Sequence, residues 1–373
     1  MNDSASNGAA MNNGVQRFEQ AFAGYVGAKF AIAMCNGTAT LHTALVVLGV
    51  EPESTVYHPD DYKKTRVENT STPVAVPPIT MASTTIAVLH AGGVPVFVDV
   101  DPDTWLMGDG PDRGVEIPVS LYGLHLQRTP TLYIASIDDA AQTLRPHGSA
   151  AFTSYSFQAS KILPLGEGGM LVTDDPELEM PARDFASLGY LMDGPRIEPE
   201  HLKRPDFERH HTLGWNYRMA DAVAEKAMWH FTPIIRGDAG SIGSESVPGL
   251  LKLREIAAAK YREAMDGCPW ITPQHVPDGW THDYWCYAVA LESAELWHPF
   301  VEAIERHGGE RPYACWRITY QEPAFRHLAE DGTCPVAEDL QPRLVQMQTN
   351  SIEAARTNAD AVALAIKELN GTR

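Results

Sequence analysis

The sequence has few cysteines and no block of basic residues, and no apolar stretch in it approaches the ~20 residues that a membrane-spanning helix needs. Its five cysteines, Cys35, Cys268, Cys286, Cys315 and Cys334, show no Cys-x-x-Cys spacing and no histidine at a zinc-ligand interval. No metal site is expected, and idle or buried thiols in a reducing cytosol fit the odd count best. Positive charge is also scarce: 29 Lys and Arg stand against 48 Asp and Glu, a formal net charge of −19. The acids are spread along the chain, and the longest basic group is Lys63, Lys64 and Arg66. Nucleic acid and acidic membrane surfaces would be repelled by such a field. The opening MNDSASNGAAMNN has no basic start followed by an apolar run. It reads as a mobile polar leader over residues 1–13 and not as a signal peptide, so a cytoplasmic location is expected.

What is present is ample apolar surface. Hydrophobic residues make up 44% and charged residues 21% of 373 residues, enough for one large domain with an appendage or for two domains. Short β-branched strands alternate with helical patterns through the first half. A helix is predicted from Val15 to Tyr25, and AKFAIAM reads as a buried strand. The next helix carries Leu41, Ala44, Leu45 and Leu48 on one stripe, with Thr38 as its N-cap and Gly49 at its close. VAVPP, VPVFVDV, EIPVS, TLYIASI, AAFTSYSF and GMLVT are further predicted strands, and Glu53 to Thr72 is a long polar connection. The alternation implies an α/β domain with a largely parallel sheet. Beyond Asn216 the pattern changes to longer helices around the strand-like HDYWCYAVAL, and a terminal helix presents Ile352, Ala355, Ala359, Val362 and Ile366 on one face. The boundary is placed in RGDAGSIGSESVPG, giving a large domain over 14–235 and a smaller C-terminal α+β domain over 236–373.

Three short stretches carry candidate chemistry. Asn36-Gly37-Thr38 lies at a strand-to-helix junction, where unpaired N–H groups and the positive end of the helix dipole would seat a phosphate; a plain helix cap is the alternative. IASIDDAAQ runs a strand into Asp138, Asp139 and Gln142, at the end of a parallel sheet where ligands bind. One of these carboxylates would pair with a cationic ring nitrogen, or cap a helix. SYSFQASKILPLGEGGMLVTDD sets Ser156 five positions before Lys161, ahead of Gly166, Gly168 and Gly169, which would turn the chain tightly into the next strand. Alone, such a lysine is a surface residue. Together, a phosphate seat, a carboxylate for a pyridinium nitrogen and an amine for imine formation are the protein's half of pyridoxal phosphate chemistry.

These stretches, with VPPITMASTTIAVLHAGGVPVFVDVDPDT, LGWNYRMAD and CPVAEDLQPRL, resemble the DegT/StrS family of sugar aminotransferases, of the aspartate aminotransferase-like fold (fold type I). The resemblance runs from Phe18 to about Leu344 in the family's order. It implies that Lys161 binds pyridoxal 5'-phosphate covalently and later moves the proton between two carbon centres. Asp139 would keep the pyridine nitrogen protonated, Gln142 would lie near the phenolic oxygen, and Gly37, Thr38 and Ser156 would hold the phosphate. Asn216 would reach the phosphate of the other subunit in a homodimer with shared active sites. The implied reaction moves an amino group, with L-glutamate as donor, to a keto-sugar linked to a nucleotide.

The chain departs from the family pattern at Met81, which stands where an aromatic residue usually stacks on the cofactor ring. Its leader is shorter, and Glu53 to Thr72 is longer, than in relatives. Arg311, Trp316 and Arg317 fall where relatives place substrate contacts; either arginine would meet a diphosphate or a donor carboxylate, or lie on the surface. Relatives that dehydrate or deoxygenate sugars typically have histidine at the position of Lys161. A degenerate, non-catalytic sugar-binding relative would have lost Lys161, Asp139 or the Gly-Thr seat, and all are present.

Overall fold

The computed structural model describes residues 14–51, 72–110, 114–125, 127, 134–190, 204–206, 208, 210, 212–235 and 246–372. The leader, nearly all of the Glu53–Thr72 connection and most of the Gly/Ser-rich boundary stretch lie outside these residues.

Seven strands form the larger sheet: β1 (Phe30–Met34), β2 (Pro73–Val76), β3 (Val94–Phe97), β4 (Gly114–Glu116), β5 (Ile134–Asp139), β6 (Phe152–Ser156) and β7 (Gly169–Thr173). Their order is β1-β7-β6-β5-β4-β2-β3. Pairing is parallel from β6 to β3, whereas β7 is antiparallel to both β6 and β1, so one strand of the seven is reversed. The largely parallel sheet is thus found, with some strands shorter than predicted; the one predicted at VPVFVDV ends at Phe97. The strand predicted at EIPVS ends at Glu116, and Val119 makes only an isolated bridge to Asp139. The physical cause is Pro118, which has no N–H to give a ladder.

Around this sheet lie α1 (Gly14–Val26), α2 (Gly37–Val47), α3 (Ser83–Ala91), α4 (Pro176–Ala186) and α5 (Asp221–Ile235). The α2 helix is buried on nearly every side, consistent with its position between sheet and outer helices. Its N-cap is Asn36 and not Thr38: Asn36 has extended φ/ψ, and its Oδ1 accepts from Ala39 N at 2.8 Å. Thr38 falls inside the first turn because the chain already turns helical at Gly37.

A second sheet, in the order β10-β11-β9-β8, is wholly antiparallel: β8 (Ile271–Pro273), β9 (Cys286–Leu291), β10 (Tyr313–Ala314) and β11 (Leu344–Gln348). It packs with α6 (Val247–Met265), α7 (Trp297–Arg306) and α9 (Ile352–Thr372), while the short α8 (Pro335–Leu340) lies alongside. On α9 the predicted stripe is buried at Ala355, Ala359 and Val362, and half-buried at Ile352 and Ile366. One apolar cluster spans both sheets, from Ile32 and Val76 to Cys286, Ala288 and Leu344. No described helix is long and apolar enough to cross a membrane.

Candidate active site

The functional residues meet because the larger sheet's strand ends converge. Alternation along β6 sends Tyr155, and Phe157 just beyond it, into an aromatic cluster with Phe18 and Phe22 of α1, at centroid distances of 4.9 to 5.5 Å. Ser154 and Ser156 therefore face the opposite way, toward α2. Ser154 Oγ lies 2.6 Å from Thr40 Oγ1. Ser156 lies so close to Gly37 that a Cβ at residue 37 would be 2.9 Å from Ser156 Cβ. Glycine at 37 is thus required by close approach.

Ala39 N is taken by the Asn36 side chain and Thr40 N by the Asn36 carbonyl. The Gly37 and Thr38 N–H groups, having no helical turn before them, are the donors left for a ligand at the cavity edge. The glycines after Lys161 divide their work. Gly166 and Gly168 have φ of 105° and 152°, which the turn requires. Gly169 instead permits contact, since its Cβ would lie 2.6 Å from the Asn36 carbonyl carbon.

Lys161 occupies a closed loop. Phe157 N bonds Gly168 O, Ala159 N bonds Gly166 O, and Lys161 N bonds Gln158 O at 2.8 Å. Ile162, Leu163 and Leu165 are buried in the cluster beneath. The lysine backbone is fixed from both sides, and burial pulls its amine below the usual lysine range, with the Asp139 charge pulling it back up.

Asp139 ends β5, 4% exposed. Its Oδ2 accepts from Thr84 Oγ1 at 2.9 Å and its Oδ1 from Ala141 N at 3.1 Å. Burial raises its pKa, against the two hydrogen bonds and the Lys161 charge. No ion pair at Asp139 is found among the described residues. A buried carboxylate in this condition suits a cationic ring nitrogen. Gln142 is buried as well, and its Oε1 accepts from Tyr122 N at 2.6 Å.

These groups line a cavity of about 690 Å³ between the two sheets, of a size for small ligands. Gly37, Thr38, Met81, Asp139, Gln142, Ser156 and Lys161 all border it. Met81 is 51% exposed. Asn216 does not border it; that residue is exposed, and its backbone bridges Ser187. Of the later candidates only Trp316 reaches the cavity. Arg311 is exposed and paired with Glu305 at 2.5 Å, and Arg317 is exposed.

Sequence reasoning passed over Trp285 and Arg254. Trp285 lies just before β9, its ring centroid 5.2 Å from Lys161 Nζ. Arg254, buried on α6, donates through Nη1 to Trp285 O at 2.8 Å and Thr349 Oγ1 at 3.0 Å. Burial lowers its pKa to about 10, against the charges of Cys286 and Asp283. Arg254 sits on the buried stripe of its helix, one turn before Ala257 and Ala258, and a charge at that phase was the available signal.

The backbone fold has known counterparts. GDP-perosamine synthase of Caulobacter vibrioides is 30% identical to the chain over 298 residues, 74% of this chain and 69% of that protein. Two solved structures superimpose along nearly the whole chain. One, a Bacillus subtilis protein with bound cofactor PMP, has a TM-score of 0.74 at 17% identity and covers 95% of this chain and 78% of that one. The other is the Helicobacter pylori aminotransferase involved in the biosynthesis of pseudoaminic acid. Its TM-score is 0.73 at 18% identity, covering 96% of this chain and 92% of that one. The model of the DegT/DnrJ/EryC1/StrS aminotransferase family matches residues 3–110 and 134–366, and with that match the chain belongs to this family.

Proposed function

We propose that the chain is a pyridoxal phosphate-dependent aminotransferase that moves an amino group from L-glutamate to a nucleotide-linked keto-sugar. The observation that carries this reading is the half-buried Lys161 and the buried Asp139 facing one cavity, with the N-terminus of α2 at its edge. The donor set fits the cofactor. Gly37 N, Thr38 N and the hydroxyls of Thr38 and Ser156 would hold its phosphate, and Asp139 would keep a proton on its ring nitrogen. Bound there, pyridoxal phosphate supplies an electron sink that lets a C–H bond beside nitrogen ionise.

The chain's own groups do the rest. Burial shifts the Lys161 amine toward its neutral form, the form able to attack a carbonyl and to carry a proton on and off Nζ. The two hydrogen bonds to Asp139 fix its carboxylate plane and favour its ionised form, opposing burial. Gln142, its oxygen held by Tyr122 N, keeps its amide N–H groups as donors. Walls from both sheets shed water from the reacting atoms. A nucleotide-linked acceptor is supported by the Caulobacter relative, whose name carries GDP. The exposed Asn216 fits a homodimer in which it reaches the partner's phosphate site. The large domain over 14–235 and small domain over 236–373 are kept as the organisation of this reading.

The test is a panel of nucleotide-linked keto-sugars with glutamate and pyridoxal phosphate, read by product mass. Gain of nitrogen that disappears in Lys161→Ala supports the proposal; loss of hydroxyl without gain of nitrogen defeats it.

A further inference from the structure

Trp285 is held more firmly than packing alone requires. Its Nε1–H donates to Ser160 O at 2.7 Å, the carbonyl directly before Lys161. Its own carbonyl accepts from Arg254 Nη1 and from Thr349 Oγ1. The Trp316 ring backs its indole at 5.8 Å with planes 18° apart, and the buried Tyr122 ring stacks on Trp316 at 6.3 Å. The Tyr122 hydroxyl in turn meets Cys315 Sγ and Gln346 Nε2. This row of rings joins the C-terminal sheet to the lysine loop of the larger sheet.

From this arrangement we propose that Trp285 is a positioning residue for Lys161: its clamped indole fixes the amine at the cavity wall and screens it from bulk water. The proposal deepens the aminotransferase reading, since it takes Lys161 as the reacting amine. It also answers what the exposed Met81 leaves undone, because a rigid aromatic surface reaches the site from the second sheet instead.

Two effects of the ring on the amine oppose each other. A cation over an indole face is stabilised by ~1 kcal/mol, which favours the protonated form, whereas exclusion of water favours the neutral form by up to a few pH units. Burial holds the Lys161 amine below its usual range, the direction that exclusion of water gives. The other ionisable groups bordering the cavity are Asp139 on β5, Glu167 on the lysine loop, Arg254 on α6, Cys286 on β9 and Tyr313 on β10. Asp139 favours the charged amine, so the depression has to come from the walls.

The experiment reads the amine directly. The full chain, freed of cofactor, is labelled with trace acetic anhydride from pH 6 to 11, and the Lys161 peptide is quantified by mass spectrometry. In Trp285→Ala the midpoint should rise by about one pH unit, about a tenfold loss of free base at neutral pH. Trp285→Phe, which keeps a ring but lacks the N–H bond to Ser160, should shift it by less than about 0.3 unit. An unchanged midpoint in Trp285→Ala, or equal shifts in the two variants, overturns the proposal. Should Trp285→Ala not fold, Trp316→Ala removes the ring behind the indole and is read the same way: a rise supports, no change overturns. Normal labelling shifts in a protein that aminates no sugar would defeat the function proposed above and leave this inference standing.

Discussion

Gly37→Ala puts one methyl group where the helix and strand of the proposed phosphate seat touch. The new Cβ would stand 2.9 Å from Ser156 Cβ and 3.3 Å from Ser156 Oγ. Carbon atoms rest at ~3.5–4.0 Å, so the first turn of α2 and the end of β6 must part by ~0.6–1 Å. Neither can yield freely. Ser154 is tied to Thr40, and Tyr155 and Phe157 are locked in the aromatic cluster under α1. Overpacking of this kind costs ~1–3 kcal/mol, which lowers Tm by several degrees. The same displacement spoils at least one hydrogen bond to the phosphate, ~1.5–3 kcal/mol for a charged acceptor, or ~10- to 100-fold in Kd. Differential scanning fluorimetry gives the first quantity, and titration of cofactor-free protein with pyridoxal phosphate, followed by absorbance, gives the second. Gly24→Ala is the control: it sits inside α1 with nothing within 4 Å of the added Cβ, and should stabilise by ~0.5–1 kcal/mol. Wild-type Tm and Kd in Gly37→Ala would refute the account of the seat.

Asp139→Asn should cut glutamate-dependent amination by on the order of 10²-fold or more with the circular dichroism spectrum unchanged, because a neutral amide cannot hold the ring nitrogen protonated. Asp283→Ala should cost ~3 kcal/mol in urea unfolding. The carboxylate accepts from Thr143 Oγ1 and Leu144 N and lies 2.5 Å from Arg145 Nε, an ion pair by distance though not aligned as a hydrogen bond, so it fixes the segment after Gln142 to the approach of β9. His282 should make the protein acid-sensitive. Burial lowers its pKa from 6.5 to about 3, and its Nδ1 accepts from Tyr284 N, so the unfolded chain takes up a proton that the folded one refuses. Stability is therefore intact above pH 6.5 and falls as pH drops from there toward 3, by up to ~1.4 kcal/mol per unit. A His282→Gln variant whose Tm declines just as steeply between pH 6.5 and 4 would refute that assignment.

The sequence by itself determined the order of elements and marked the candidate residues of the site. Alternating strands and helices have distinct apolar periods, and Gly37, Asp139, Ser156 and Lys161 each sit at a strand end or turn whose composition marks it locally. The tertiary structure decided what depends on contacts between distant segments. Two readings were corrected at that level: Asn36 caps α2 in place of Thr38, because cap geometry depends on where the chain first turns helical, and Pro118 ends the strand predicted through it. Gly37 and Gly169 are indistinguishable in sequence from glycines needed for positive φ. Only the approach of β6 to α2 and of Asn36 to β7 shows that these two are required by contact. Trp285 and Arg254 lie 124 and 93 positions beyond Lys161 in the chain, and no local pattern ties them to it. What brings them there is the packing of the second sheet on the first, a consequence of buried apolar area summed over many residues, which no short stretch of sequence contains.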